Sequence, residues 1–93
     1  MQTTMNLLAK ALEIKSIPEW TADLGLSDKA LYNSQYRQHL SPAIAGTMAE
    51  RIGEDVDKWI VIAALESEKD SACKQRMMTR LKSTHHINDV ISR

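Results

Sequence analysis

Apolar residues recur at helical spacing near the start of the chain, where the pattern predicts a helix over about residues 4–14. One face of this helix is expected to carry Met5, Leu8, Ala9 and Leu12. The polar positions between them would face solvent. The segment therefore predicts an amphipathic helix that packs on a core.

Two short helices are predicted next, on either side of a glycine. Ser16 and Glu19 are spaced as a capping box, in which each side chain bonds the backbone amide of the other residue, so the second helix begins there. Gly25 can end that helix in a left-handed conformation at little steric cost. Ser27 is a good N-cap for a third helix that extends toward Gln38. The link between the two helices is only about three residues long.

Two further helices follow from their end signals. Ser41 and Pro42 form an N-cap followed by proline in the first turn, and Gly53 ends that fourth helix. Asp55 caps a fifth helix. The apolar face of the fourth helix is predicted to hold Ile44, Ala45, Met48 and Ile52. That of the fifth is predicted to hold Val56, Trp59, Ile60 and Ala63.

A break is predicted within the polar residues 66–71, with Asp70 as the N-cap of a sixth helix. Cys73, Met77 and Leu81 then recur one turn apart. Residues 83–93 are mostly polar and are expected to fray. Since no alternating strand pattern occurs, the fold class is all-α with five to six helices, and the chain divides into a domain at 1–68 and a C-terminal helix and tail at 69–93.

Composition agrees with one small helical domain. Of 93 residues, 43% are hydrophobic, but only four are aromatic and none is phenylalanine. The longest apolar run, residues 59–65, is far shorter than the roughly 20 residues of a membrane span, and the first 15 residues lack the features of a secretory signal. A single cysteine, Cys73, cannot form an internal disulfide. A cytoplasmic protein with no membrane partner is therefore expected.

Formal net charge is zero, but the charges are unevenly distributed. Residues 41–70 are predominantly acidic. Residues 71–93 carry five basic side chains against the single carboxylate of Asp89. Ordinary solvated helix faces would explain this, and so would a basic tail that contacts phosphates or another subunit.

The glycine turn carries the strongest functional signal. Two short helices joined by a tight turn and flanked by packing helices form a helix-turn-helix unit. Leu24, Leu26 and Leu31 are spaced to line the inside of the corner, and Trp20 can cover them. The other face of the third helix is polar and aromatic, and it is formed by Asp28, Lys29, Tyr32, Asn33, Tyr36 and Arg37.

Residues from about Leu7 to Trp59 resemble the DNA-binding domain of the lambda-repressor and Cro type, also called the XRE family. The matching features are the turn TADLGLS at 21–27, the anchor Leu31, the opening of the fourth helix at Ser41 and Pro42, and the segment MAERIGEDVDKW at 48–59. The C-terminal extension is similar to that of small phage or prophage repressors. The resemblance implies a transcriptional repressor in the bacterial nucleoid that binds double-stranded DNA.

Three positions depart from the family pattern. Thr21 replaces the usual alanine at the closest approach of the two helices, and Ile17 replaces a glutamine that commonly contacts phosphate. Asp28 replaces the usual glutamine or serine at the start of the third helix. Its carboxylate could cap its own helix or accept a hydrogen bond from cytosine.

The resemblance also implies roles for single residues. The third helix would enter the major groove, with Lys29 and Asn33 reading guanine and adenine. Ser27 at the helix N-terminus would hold a phosphate. Contacts with phosphates, sugars or a thymine methyl are expected from Tyr32, Tyr36 and Arg37. Besides Lys29 and Arg37, Lys15 is the remaining candidate cation, so binding should be weak for a monomer and sensitive to salt.

Pairing of two copies would compensate, since two recognition helices about 34 Å apart can read a palindromic operator. The predicted dimer surface is a methionine-rich seam in the C-terminal region. It consists of Trp59, Ile62, Cys73, Met77, Met78 and Leu81. The alternative is that these residues close the core of the monomer.

No enzymatic signature occurs, and neither a cofactor nor a small-molecule substrate is expected. The spacing of Cys73 with His85 and His86 matches no zinc pattern, so no metal site is expected either. The alternative function is a small phage-encoded or antitoxin-like protein that keeps the helix-turn-helix fold but binds a host protein. Neutral net charge and the acidic middle segment favour it, whereas the polar third helix favours DNA.

Overall fold

The structure is a computed structural model that describes residues 2–91, apart from the side chains of Asp28 and of residues 82–91. The residues it describes form six α-helices and no strand, which confirms the predicted all-α class. The helices are α1 (Thr4–Leu12), α2 (Ile17–Leu24), α3 (Asp28–Arg37), α4 (Pro42–Ile52), α5 (Val56–Glu66) and α6 (Ala72–Ile91).

Three successive corners of the chain have the same backbone conformation. The helices α2, α3 and α4 each end at a left-handed residue, namely Gly25 (φ 69°), Gln38 (φ 64°) and Gly53 (φ 78°). The amide after each of these residues donates back across the last turn, as in the bond from Leu26 to the Thr21 carbonyl at 2.8 Å. This Schellman arrangement satisfies the last carbonyls of a helix and turns the chain sharply. The two glycine corners were predicted, and the Gln38 corner was not.

The predicted N-caps are largely confirmed. Ser16 and Glu19 form the capping box, and the side chains of Ser41 and Asp55 accept hydrogen bonds from the amides of the third helical residue. The cap of α6 was placed one residue early, because the Ser71 hydroxyl accepts from the Lys74 amide at 3.0 Å. Asp70 instead pairs with the Lys74 ammonium at 3.6 Å.

The core is centred on α4, which packs against α1, α2 and α5, while α3 packs mainly on α2. The buried apolar side chains are Leu7, Leu8, Ala11, Trp20, Leu31, Leu40, Ala45, Met48, Ala49, Trp59, Ile62 and Ala63. Two predicted faces were wrong in part. Ala9 is exposed, since α1 turns Leu7 and Ala11 inward, and Ile60 is 38% exposed, since α5 turns Ile62 inward.

Buried Thr4 joins three separate parts of the chain. Its hydroxyl accepts a hydrogen bond from the Leu40 amide at 2.9 Å and donates to Glu66 Oε2 at 2.6 Å, and its amide donates to Glu66 Oε1 at 2.6 Å. Leu40 follows α3, and Glu66 ends α5. The start of α1 therefore holds the ends of α3 and α5 close together.

The C-terminal segment is helical through Ile91, so the expectation that residues 83–91 fray was wrong for the backbone. Ser92 and Arg93, also part of that expectation, lie outside the described residues. The principal contacts of α6 are with α5, and Leu81 packs against the core. No helix within residues 2–91 has the length and apolar character that a membrane span needs.

Candidate nucleic-acid interface

The corner between α2 and α3 has the geometry that its sequence predicted. Leu31 and Trp20 are buried beneath it, and Leu24 and Leu26 pack against the same cluster. The Trp20 indole N–H donates to the Ala11 carbonyl at 2.8 Å, which fixes the ring between α1 and α2. The corner is thus anchored on its inner side, and the opposite side of α3 is left to solvent.

Thr21 replaces the alanine that is usual at the closest approach of α2 and α3, and its larger, polar side chain must be accommodated there. Its side chain is fully buried, and its hydroxyl donates to the Pro18 carbonyl at 2.9 Å one turn earlier in α2. The hydroxyl therefore has the partner that burial requires. Threonine is accommodated here without opening the corner.

The outward face of α3 presents the predicted polar and aromatic side chains. Tyr36 is 90% exposed and Tyr32 is 52% exposed. Lys29, Asn33 and Arg37 are exposed as well. Asp28 begins the helix, and its side chain lies outside the described residues. Two phenol rings, one amide and two cations thus share the exposed side of a ten-residue helix.

Ser27 occupies the N-cap position of α3. Its backbone conformation is that of an N-cap, with φ −70° and ψ 155°, but its hydroxyl makes no capping hydrogen bond to α3. The hydroxyl and the first amides of α3 can therefore serve an external acceptor. A phosphate oxygen is the acceptor that a helix N-terminus favours.

A shallow polar groove runs from the start of α3 to the start of α4, with a volume of about 330 Å³. Ser27, Asn33 and Arg37 line it, together with His39 and Ser41. His39 Nδ1 is buried and has no hydrogen-bond partner among the described residues. Sequence reasoning missed His39, because nothing in the sequence marks the residue before it, Gln38, as left-handed.

Lys15 is not available to phosphate in the way the sequence suggested. Its ammonium group pairs with Asp23 at 3.0 Å and lies 4.6 Å from the centre of the Trp20 ring. Arg51 contacts the same carboxylate at 3.5 Å. The hydrogen bond from Lys15 lowers the pKa of Asp23, with a further contribution from the charge of Arg51. One carboxylate thus pairs with two cations near the corner and offsets one of their two positive charges.

The residues predicted to form a dimer surface divide into two groups. Trp59 and Ile62 are 0% and 2% exposed in the core of the single chain, so their assignment to a surface is corrected. Both side chains belong to the buried core cluster, and α5 packs against α4 and α1. Cys73 and Met77 are exposed, and Met78 and Leu81 are half-buried.

An apolar groove separates α5 from α6, with a volume of about 340 Å³. Met77, Arg80 and Leu81 line it from α6, and Val61 and Leu65 line it from α5. Val61, at 42% exposure, was not predicted to belong to this surface. The sequence feature that could have indicated it is the apolar run of residues 59–65. A helix that buries only one face does not need seven consecutive apolar residues.

Comparison of the chain with protein-family models, curated proteins and solved structures finds no match.

Proposed function

We propose that this chain is a sequence-specific DNA-binding transcriptional regulator of the helix-turn-helix type, similar to a phage or prophage repressor. The observation that carries the proposal is the corner at Gly25, which is anchored by buried residues on one side and turns a polar and aromatic helix toward solvent on the other. In this proposal α3 enters the major groove. Lys29 and Asn33 read base edges, and Tyr32, Tyr36 and Arg37 contact the backbone.

The unused capping group of Ser27 supports the same placement. A helix that enters a groove brings its N-terminal amides close to a phosphate, and the Ser27 hydroxyl is available at that position. The polar groove beside it continues this surface toward the start of α4. Phosphate contacts along this edge would fix the register of α3 on the duplex.

The test is a double substitution, Lys29→Ala with Asn33→Ala, measured by binding to the DNA upstream of the chain's own gene. Each base contact contributes about 1–3 kcal/mol, so the variant should bind at least about 30-fold more weakly. Both side chains are exposed, and circular dichroism should be unchanged. The matched control is Gln2→Ala with Lys58→Ala, which removes an amide and an ammonium group far along the sequence from α3. Unchanged binding in the α3 variant would refute the assignment of the recognition helix.

We also propose that two copies pair through the groove between α5 and α6, so that two α3 helices read a palindrome. Met77→Glu places a charge at a 43% exposed position in the apolar groove. The variant should sediment as a monomer and bind its operator far more weakly than the wild-type chain. Truncation after Glu68 removes the α6 side of the groove and should do the same. The control is Gln75→Glu, an isosteric charge on an exposed position of α6. A wild-type chain that sediments as a monomer and binds one half-site tightly would contradict the pairing.

A protein-binding module is the second candidate, and the pairing of Lys15 and Arg51 with Asp23 favours it, because these contacts leave the surface around the corner with few unpaired cations. In that case α3 would contact a host protein. A purified wild-type chain that binds no duplex at low salt, with intact helix content, would favour this function over the first.

A further inference from the structure

The exposed side of α5 is apolar except at its start. Asp57, Ile60, Val61 and Ala64 are all exposed, and their spacing of three and four residues puts them on one side of the helix. Ile60 and Val61 are 38% and 42% exposed. The solvent side of an amphipathic helix is normally polar. This side of α5 therefore offers an apolar surface to a partner, with a carboxylate at one end.

Arg80 is the charged residue of the groove between α5 and α6. The other residues that line the groove, Val61, Leu65, Met77 and Leu81, are apolar. No ion pair joins Arg80 to a carboxylate among the described side chains. A partner that covered the groove with apolar atoms alone would take the guanidinium group out of water without compensation, which is costly. The partner should therefore bring a carboxylate.

The chain itself carries a carboxylate suited to that role. Asp57 lies one helical turn before Val61 and two turns before Leu65, on the side of α5 that lines the groove. It is exposed, and it forms no ion pair with the described side chains. Several other carboxylates are already engaged, namely Asp23, Glu54, Glu66 and Asp70. Each copy of the chain thus presents one guanidinium group and one unpaired carboxylate at the same apolar surface.

This combination makes the surface complementary to itself. In a two-fold dimer the same patch of both copies meets, and each contact between two different residues occurs twice. Two opposite-charge contacts form if Arg80 of each copy faces Asp57 of the other. An arrangement that set Arg80 against Arg80 would bring two like charges together at the apolar surface. A second copy of the chain is therefore the partner that both the apolar residues and the charges favour.

We infer that Arg80 of each copy pairs with Asp57 of the other when two copies join through their α5–α6 grooves; the inference rests on the pairing in the proposed function. The apolar side chains supply the driving force for association. The two ion pairs fix the relative orientation of the copies and exclude other arrangements. Arg80 is thus a specificity-determining residue of the dimer, and the orientation that it fixes sets the spacing of the two α3 helices on a palindrome.

The experiment measures sedimentation of full-length Arg80→Glu and Asp57→Lys chains, alone and mixed in equal amounts, with a fluorescent label on the Asp57→Lys copy. Alone, each variant would place like charges together at both contacts of its dimer. Its dimer dissociation constant should therefore rise at least about 30-fold. In the mixed dimer both contacts join opposite charges, one of them with its polarity reversed. The mixed dimer should therefore have a dissociation constant within about threefold of the wild-type value.

Two charge reversals outside the groove are the controls. Arg76→Glu changes a residue one turn before Arg80, Glu50→Lys changes a residue of α4, and both positions are exposed. Each should leave the dimer dissociation constant within about threefold of the wild-type value. The labelled Asp57→Lys copy should pair more tightly with Arg80→Glu than with Arg76→Glu, because the guanidinium group of Arg80 repels the new ammonium group. Circular dichroism should be unchanged in all four variants, since every substituted position is exposed.

The outcomes separate this inference from the proposed function. A wild-type chain that stays a monomer refutes the pairing in the proposed function, and the ion pair with it. A dimer that persists in both Arg80→Glu and Asp57→Lys refutes only the ion pair. A mixture that stays monomeric also refutes it, and a dimer formed by chains that carry both substitutions would then show that the two residues pair within one copy. The substitutions at Lys29 and Asn33 test the reading of DNA by α3 independently of these results.

Discussion

Gly25→Val is expected to lower the free energy of unfolding by about 2–3 kcal/mol, because a β-branched residue is forced into a left-handed backbone conformation at φ 69°. A Cβ atom at this position would meet no other atom within 4 Å. The cost is therefore strain in the backbone and not a clash. Urea denaturation should show it, together with a fall in melting temperature of roughly 10–20 °C.

Two variants isolate that cause. Gly25→Asn should cost less, since asparagine tolerates the left-handed region better than other residues with a side chain. Ala22→Val adds the same β-branched side chain at an exposed helical position of α2 and should cost less than about 1 kcal/mol. Equal losses for Gly25→Val and Ala22→Val would show that the corner does not depend on positive φ.

Thr4→Val is expected to lower the free energy of unfolding by about 2.5–6 kcal/mol. Valine keeps the shape of threonine, so no cavity forms, but the buried Leu40 amide loses its acceptor and Glu66 loses one of its two donors. A buried donor without a partner costs about 1–3 kcal/mol, and a hydrogen bond to a charged group contributes about 1.5–3 kcal/mol. Chemical denaturation measures the total.

Thr4→Ser keeps the hydroxyl and should cost only about 1 kcal/mol for the lost methyl group. Thr47→Val provides a matched control on α4, where an exposed threonine donates only to a carbonyl of its own helix at 2.9 Å. That substitution should change stability by less than about 0.5 kcal/mol. If Thr4→Val were as mild as Thr47→Val, the contacts of Thr4 would contribute nothing to stability.

The parts of the fold that local chemistry dictates were predictable from the sequence. The capping box at Ser16, the caps at Ser41 and Asp55, and the left-handed ends at Gly25 and Gly53 each depend on a few adjacent residues. The exposed face of α3 was predictable for the same reason, once Leu31 was placed inside the corner. Short-range signals therefore located the candidate site.

The parts that depend on packing between distant segments were not predictable. Thr4 and Glu66 are 62 residues apart, and nothing local marks them as partners. Six of the eight residues 5–12 are apolar, so more than one face of α1 was possible, and contact with α4 selected Leu7 and Ala11. Gln38 carries no glycine signal, although its side-chain amide donates to the Gln35 carbonyl at 2.7 Å and supports its conformation.

The two tryptophans lie in different parts of the core and can report on each part separately. Trp20 is tied to the end of α1 by its bond to Ala11, and Trp59 is tied to the turn before α5 by its bond to Glu54 at 3.2 Å. Both rings are buried, so each emits from an apolar environment until its own neighbourhood opens. Variants that retain one tryptophan at a time therefore give separate fluorescence signals for the corner at Gly25 and for the packing of α5 on α4. Coincident transitions would mean that the corner melts with the rest of the chain, and an earlier transition at Trp20 would identify it as a separate unit of stability.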